Sequence, residues 1–269
     1  LLGAAAIGPG LRAAPADRLP APDVQLQPAI EAAIGAIARQ DEDAAERIDT
    51  LESLAEAGRE ELLLQLVLAL DGSTGTERSM AGAILLRRLA FSPDETIEAL
   101  VPRLDAAGPG LRRVMTEMLG TIDRREDGEV DFGAYGTWLR KRGGPPPVPL
   151  VRYLYDISPG EARRLLRGLP GGTIGKPGTD EAVEALETLR RGRDTSRALT
   201  GEERERAGRA LETLAHSPAF WDRAYAAALL ARDRDLGPAE LAHRLADDPD
   251  PLVRAARTGT PSRPVTPSR

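Results

Sequence analysis

Five carboxylates lie close together in the segment from Asp123 to Phe132, which reads DRREDGEVDF. Within it, Asp123, Asp127 and Asp131 recur at intervals of four residues. Clustered carboxylate oxygens are the ligands that a hard cation such as Ca²⁺ prefers, so these three aspartates are the candidate metal ligands of the chain. An acidic surface turn, with Gly128 in a left-handed conformation, explains the same residues without a metal.

The order of these residues resembles the calcium loop of an EF-hand. Asp123, Asp127 and Asp131 fall at loop positions 1, 5 and 9. The segment departs from the pattern at position 3, which is Arg125, and at position 12, where Ala134 replaces the glutamate that closes the site with two oxygens. The resemblance therefore implies at most a calcium-responsive module that binds weakly, and we expect neither a resident metal nor a cofactor.

Other catalytic patterns are missing from the sequence. There is no cysteine, and neither histidine, His216 or His243, has a metal-ligand or nucleophile spacing around it. Gly-x-Ser-x-Gly, Walker and dinucleotide glycine motifs are absent as well. We predict that the chain is not an enzyme, although a carboxylate pair brought together by the fold stays open as an alternative.

A second group of residues favours binding. Five of the nine aromatic residues lie within residues 132–155, and four basic residues are interleaved with them. Trp, Tyr and Arg dominate the energetics of protein interfaces. The candidates for contact with a partner are Tyr135, Trp138, Arg140, Arg142, Arg152 and Tyr153. The alternative is that these rings fill the core around an inserted segment.

Charge is unevenly distributed along the chain. The net charge is −6, which argues against nucleic acid as the partner because nucleic-acid binding needs a basic surface. Residues 17–136 hold 24 acidic and 12 basic residues, whereas residues 137–197 hold 12 basic and 7 acidic ones. We expect a protein partner for the basic stretch, and charge complementarity favours an acidic one.

Apolar residues recur at helical spacing through most of the chain. Capping boxes, in which a hydroxyl precedes a glutamate by three residues, predict helix starts at Ser92, Ser158 and Thr200. Gly- and Pro-rich composition predicts loops at 123–147 and 169–179. The predicted helices are 28–38, 42–57 and 180–191, and the pairs 60–70 with 77–90, 93–105 with 110–122, 149–156 with 159–168, 202–216 with 218–232, and 238–246 with 251–258.

An arginine near the start of a helix, followed by small residues and leucines, recurs at Arg78, Arg112, Arg223 and Arg254. Together with the paired helices, this pattern resembles the HEAT family of helical repeats. The resemblance implies an all-α solenoid of antiparallel helix pairs that serves as a non-enzymatic scaffold for protein binding. HEAT-like proteins also include enzymes of the bilin-lyase type, which we keep as the alternative function.

The ends of the chain differ from its centre in composition. Residues 1–27 are rich in Pro and Ala and are predicted to be unstructured, as is the Pro/Ser/Thr/Arg tail at 259–269. The apolar run Leu1–Ile7 and the Ala14-Pro15-Ala16 triplet are typical of the end of a secretion signal, which favours export slightly over a cytoplasmic location. The repeat domain is predicted at 28–258, without a membrane span.

Overall fold

The computed structural model describes residues 19–54, 58–71, 76–123, 129–170, 175–192 and 198–257. In these ranges the chain is helical and forms no β-strand, which confirms the predicted all-α class. Two short 3₁₀ turns lie at Val101–Arg103 and Arg234–Leu236. The helices are α1 (Leu26–Arg39), α2 (Ala44–Leu54), α3 (Arg59–Leu70), α4 (Thr76–Leu89), α5 (Pro93–Leu100), α6 (Pro109–Leu119), α7 (Gly133–Arg142), α8 (Val148–Ile157), α9 (Pro159–Arg167), α10 (Thr179–Gly192), α11 (Gly201–Ala215), α12 (Phe220–Arg232), α13 (Ala239–Ala246) and α14 (Pro251–Arg257).

Two of the three predicted capping boxes form. Ser92 and Thr200 each accept a hydrogen bond from the backbone of the glutamate at N3, and that glutamate accepts one in return. The box predicted at Ser158 is wrong, because the Ser158 side chain makes no capping hydrogen bond. Ser158 is the only residue between α8 and α9, so it must end one helix while it begins the next. Glu161 pairs with Arg164 instead.

The chain divides into two compact units, Leu1–Met115 and Thr116–Arg269. In unit 1, α1 packs on α2, α3 and α4, and α3 packs on α4 and α5. Gln65 of α3 is fully buried there, and its amide binds the segment that precedes α1. The Gln65 side chain donates to the carbonyl of Ala21 at 2.8 Å and accepts from the backbone N–H of Asp23 at 2.9 Å. The prediction of an unstructured segment is therefore wrong for residues 21–27, because a buried amide must find such partners.

Unit 2 is built around α12. This helix contacts α8, α9, α11, α13 and α14, and α14 also packs on α8. Ala226, Leu229 and Leu230 of α12 are buried, as are Leu241 and Leu245 of α13, in agreement with the sequence pattern. The run of alanines in α12 lets several helices approach it closely. In a linear repeat each unit contacts only its neighbours, whereas α8 contacts helices four and six places further along the chain.

The recurring arginines share one structural role. Each donates hydrogen bonds to backbone carbonyls at the end of the preceding helix or in the turn that follows it. These carbonyls lack partners inside a helix, so a guanidinium that reaches them stabilises the turn between paired helices. The bonds are Arg78 to Ala69 at 2.8 Å, Arg112 to Leu104 at 3.0 Å, Arg223 to Ser217 and Pro218 at 3.0 Å, and Arg254 to Pro249 at 2.9 Å.

The segment predicted as a loop at 123–147 contains helix α7, so that prediction is wrong for residues 133–142. The glycines and prolines that suggested a loop lie at 143–147, after the helix ends. Tyr135, Trp138 and Leu139 recur at helical spacing and are buried, which supplies the packing that α7 needs. In the other predicted loop, Thr179 already begins α10.

Several predictions lie outside the described residues. They include the secretion signal at 1–16, the tail at 259–269 and the candidate ligand Asp127. Through the part of the chain that the structure covers, no helix combines the length and the apolarity that crossing a bilayer demands.

Candidate functional site

Phe132, Tyr135 and Tyr153 form a buried aromatic layer in unit 2. Phe132 and Tyr135 meet edge to face with ring centroids 5.8 Å apart, and Tyr135 lies 6.0 Å from Tyr153. Tyr135 is fully buried, and Trp138 and Tyr153 are each only 4% exposed. Of the predicted contact residues, these three rings therefore belong to the core. They offer a partner no open face, because the helical register of α7 and α8 directs them inward.

The hydroxyl ends of this layer are satisfied inside the protein. Tyr135 donates to the carbonyl of Leu119 at 3.2 Å, and Tyr153 donates to Oδ2 of Asp123 at 2.5 Å. Burial raises the pKa of both phenols well above its usual range, and the nearby Asp123 carboxylate raises the pKa further. Both tyrosines thus remain neutral donors, and Tyr153 fixes the start of the segment that follows α6.

Two of the carboxylates predicted as calcium ligands, those of Asp123 and Asp131, are used in hydrogen bonds within the protein. Asp123 is 1% exposed and bonded to Tyr153, while its carbonyl accepts from the backbone N–H of Asp131 at 2.8 Å. Oδ1 of Asp131 accepts from the backbone N–H of Gly133 at 2.9 Å, next to the start of α7. Among the residues that the structure describes, no three potential ligands come together as a metal site would require.

The cations of the same segment remain on the surface. Arg140, Lys141 and Arg142 occupy the last turn of α7, where positive charge is favourable to the helix dipole, and all three are exposed. The Arg142 guanidinium lies 5.6 Å from the Trp138 ring centroid and donates to the carbonyl of Pro145 at 3.1 Å. We call these three residues the basic surface. Arg152, also predicted as a contact, is half-buried on α8.

Helix α7 is held close to α9, which gives the basic surface a firm base. A Cβ atom on Gly136 would lie only 2.7 Å from Cδ1 of Leu165 in α9, so glycine permits this approach. Tyr135 of α7 belongs to the aromatic layer, and Trp138 of the same helix is also buried. A rigid base matters for recognition, because less side-chain and backbone freedom is lost when a partner binds.

A buried polar network elsewhere in unit 2 was not predicted. Asp222 of α12 is fully buried and accepts from Nε of Arg163 at 2.7 Å and from the hydroxyl of Ser217 at 2.6 Å. Arg163 also donates to Oδ1 of Asp180 at 2.9 Å. The network joins α9, α10 and α12. Its members are separated by up to 59 residues in sequence, and no local spacing marks them as partners.

This network is arranged for packing rather than chemistry. A serine next to a carboxylate could act on an acyl group, but Ser217 is 2% exposed and its carboxylate partner is already neutralised by Arg163. Neither histidine joins the network. His216 caps the end of α11 beside Glu212, and His243 is exposed on α13.

Comparison of the chain with protein-family models, with curated proteins and with solved structures gives no match.

Proposed function

We propose that this chain is a non-enzymatic helical interaction domain and that the basic surface of α7 docks an acidic segment of a partner protein. The observation that carries the proposal is the exposure of three consecutive cations in the last turn of a helix that is fixed in the core by the buried Tyr135, Trp138 and Leu139. Charge complementarity steers such an encounter and disfavours partners of the wrong sign.

The buried aromatic layer changes how the surface acts. Because the rings are covered, they contribute rigidity, and Arg140 and Arg142 contribute the direct contacts. Arginine suits this role, since its planar guanidinium binds a carboxylate through two parallel hydrogen bonds. The partner is therefore expected to present Asp or Glu side chains on an exposed element.

The proposal includes a HEAT-like origin for the paired helices. In its favour, Arg78, Arg112, Arg223 and Arg254 bind the preceding turn in the same way. Arg223 also pairs with Asp248 at 2.8 Å, which links the α11–α12 pair to the turn of the α13–α14 pair. The contact between α8 and α14 departs from a linear repeat, in which each unit contacts only its neighbours.

The test is a charge reversal with a matched control in the same unit. Arg140→Glu/Arg142→Glu removes the basic surface, whereas Arg204→Glu/Arg206→Glu makes an equal change at exposed arginines of α11. Wild type and both variants are used to capture partners from a native lysate, and the affinity of each captured protein is then measured with purified components.

The proposal predicts an acidic partner whose binding weakens by about 1–2 kcal/mol or more in the α7 variant, a hot-spot effect, and is unchanged in the α11 variant. Melting temperatures check that both variants remain folded, since a glutamate in the last turn of a helix costs about 0.3–1 kcal/mol by itself. The proposal would be contradicted if both variants lost the same affinity for the partner, or if neither variant lost any.

A further inference from the structure

A groove runs along unit 1 between α1 and α2. Its volume is about 380 Å³, and it is open to solvent along its length. Small side chains of α1 form one wall and longer polar side chains of α2 form the other. The lining residues are Ala29, Ala32, Asp43, Glu46, Arg47 and Thr50.

The face of α2 that lines the groove continues beyond it towards the end of the helix. Asp43, Arg47 and Thr50 follow one another at spacings of four and three residues, which places them on one face of the helix. Leu54 is the next residue of that face and is 48% exposed. Leu51 is the only residue of α2 that is buried. The groove therefore has two alanines in its lining, an exposed leucine further along the same face of α2, and a helix wall that makes few other contacts.

An acidic row begins just before α2 and continues along the helix, and one of its members, Glu46, lines the groove. Glu42, Glu46 and Asp49 also follow spacings of four and three residues. Within the part of the chain that the structure describes, none of these carboxylates has an ion-pair partner. Asp43 differs, because it pairs with Arg47 at 2.7 Å. Together with Asp43, these residues set four carboxylates against the Arg47 guanidinium, so the rim of the groove carries net negative charge.

We propose that this groove is a docking site for a basic amphipathic helix of a partner protein. Apolar side chains of that helix pack against Ala29, Ala32 and Leu54, and its Lys or Arg side chains face the acidic row. This is the helix-in-groove mode of recognition. Asp43 to Leu54 spans about 16 Å at the helical rise, which matches roughly three turns of a bound helix.

The charge of the rim identifies the occupant as a basic partner rather than the same hairpin of a second copy. Two such hairpins would oppose carboxylates of the same sign, which is unfavourable. This proposal does not depend on the basic surface of α7, since it concerns another unit and a partner of opposite charge. The chain would then be an adaptor with one docking surface in each unit.

The experiment uses the full chain and two labelled synthetic helical peptides. Both carry Ala and Leu on one face, and the other face is Lys-rich in the first peptide and Glu-rich in the second. Fluorescence anisotropy measures the affinity of each. The proposal predicts that the Lys peptide binds and the Glu peptide does not.

Two variants test whether the Lys peptide binds in the groove. Glu46→Lys/Asp49→Lys is expected to weaken the Lys peptide by about tenfold or more, as reversed charge contacts should. Ala32→Trp is expected to block it by filling the groove. Glu184→Lys, at an exposed carboxylate of α10 in unit 2, is the control and should leave affinity nearly unchanged. Circular dichroism confirms that each variant is helical.

Several results would overturn the proposal. They are no binding of the Lys peptide, equal binding of the two peptides, or equal weakening by the groove variants and by Glu184→Lys. Sedimentation of the protein alone measures its oligomeric state and so tests whether a second copy of the chain occupies the groove. If the wild type is a dimer that Ala32→Trp dissociates, the groove holds a second copy and the proposed partner is wrong.

Discussion

Replacement of Asp222 with Ala tests the buried network of unit 2. Asp222 is fully buried and is the acceptor for both Arg163, at 2.7 Å, and Ser217, at 2.6 Å. Its removal leaves the Arg163 guanidinium, whose side chain is only 8% exposed, with Asp180 as its remaining carboxylate. A buried cation that loses a partner is destabilising because the cost of removing it from water is no longer offset.

The size of the effect follows from these contacts. Breaking a buried ion pair by removing one partner costs about 3–5 kcal/mol. Since Arg163 keeps Asp180, whose side chain is 56% exposed, we expect the lower end of that range, about 3 kcal/mol. Because the whole stability of a domain is about 5–15 kcal/mol, this loss is large. Arg163→Met together with Asp222→Leu should cost less than Asp222→Ala alone, since no unpaired charge remains.

Urea unfolding followed by tryptophan fluorescence reports on the correct part of the molecule. The chain has two tryptophans, Trp138 and Trp221, and both belong to unit 2. Glu184→Ala, at an exposed site in the same unit, is the control and should change stability by less than about 0.5 kcal/mol. A loss below about 1 kcal/mol for Asp222→Ala, too small for a broken buried pair, would refute the proposed role of the network.

Four further outcomes are expected. Leu229→Ala should lower the unfolding free energy by about 2–5 kcal/mol in urea titrations, because it leaves a cavity at a side chain that is 1% exposed. Ser92→Ala should cost about 1 kcal/mol in thermal melts and Ser158→Ala much less, since only the first side chain caps a helix. Arg167 and Arg163 lower the pKa of Asp180 below 3.8. The stability that the folded protein gains from the ionised Asp180 is therefore present above that pH and is lost as the pH falls through the lowered pKa. Acid titration of Asp180→Asn should accordingly show a shallower loss of stability in this window. Calorimetry should detect no calcium binding tighter than about millimolar, because the carboxylate of Asp123 is buried and bonded to Tyr153.

The helices could be predicted from sequence because their signals are local. Apolar spacing placed most helices within a few residues of the observed bounds. A capping box also depends on four consecutive residues, which explains the success at Ser92 and Thr200. The failure at Ser158 is informative, since a hydroxyl residue and a glutamate three positions later are present there too. What differs is that a helix ends at the residue before it, and the backbone cannot satisfy both helices at once.

The recurrence of Arg78, Arg112, Arg223 and Arg254 was visible in the sequence, but its cause was not. Small residues after each arginine suggested close packing of helices. The structure adds that the guanidinium binds the carbonyls of the preceding turn. That role needs only the arginine and the turn before it, so the same arginine pattern can recur without a strictly ordered stack of helices.

The aromatic residues show why the candidate site was harder to predict. Composition alone allowed the rings of Tyr135, Trp138 and Tyr153 to be core or interface. The choice depends on which face of α7 and α8 meets the rest of unit 2, and that is a tertiary property. The network of Arg163 and Asp222 depends equally on long-range packing, and the groove beside α2 depends on how two consecutive helices pack. Export of the chain, which rests on residues outside the described ranges, stays a prediction.

Hydrogen exchange on the full chain, with and without the acidic partner captured as described above, tests the central claim most directly. The basic surface lies on α7, whose backbone amides report on any molecule that covers it. The account predicts that the partner slows exchange in residues 133–147 and that Arg140→Glu/Arg142→Glu abolishes this protection. Unchanged exchange in α7, with protection confined to other helices, would contradict it.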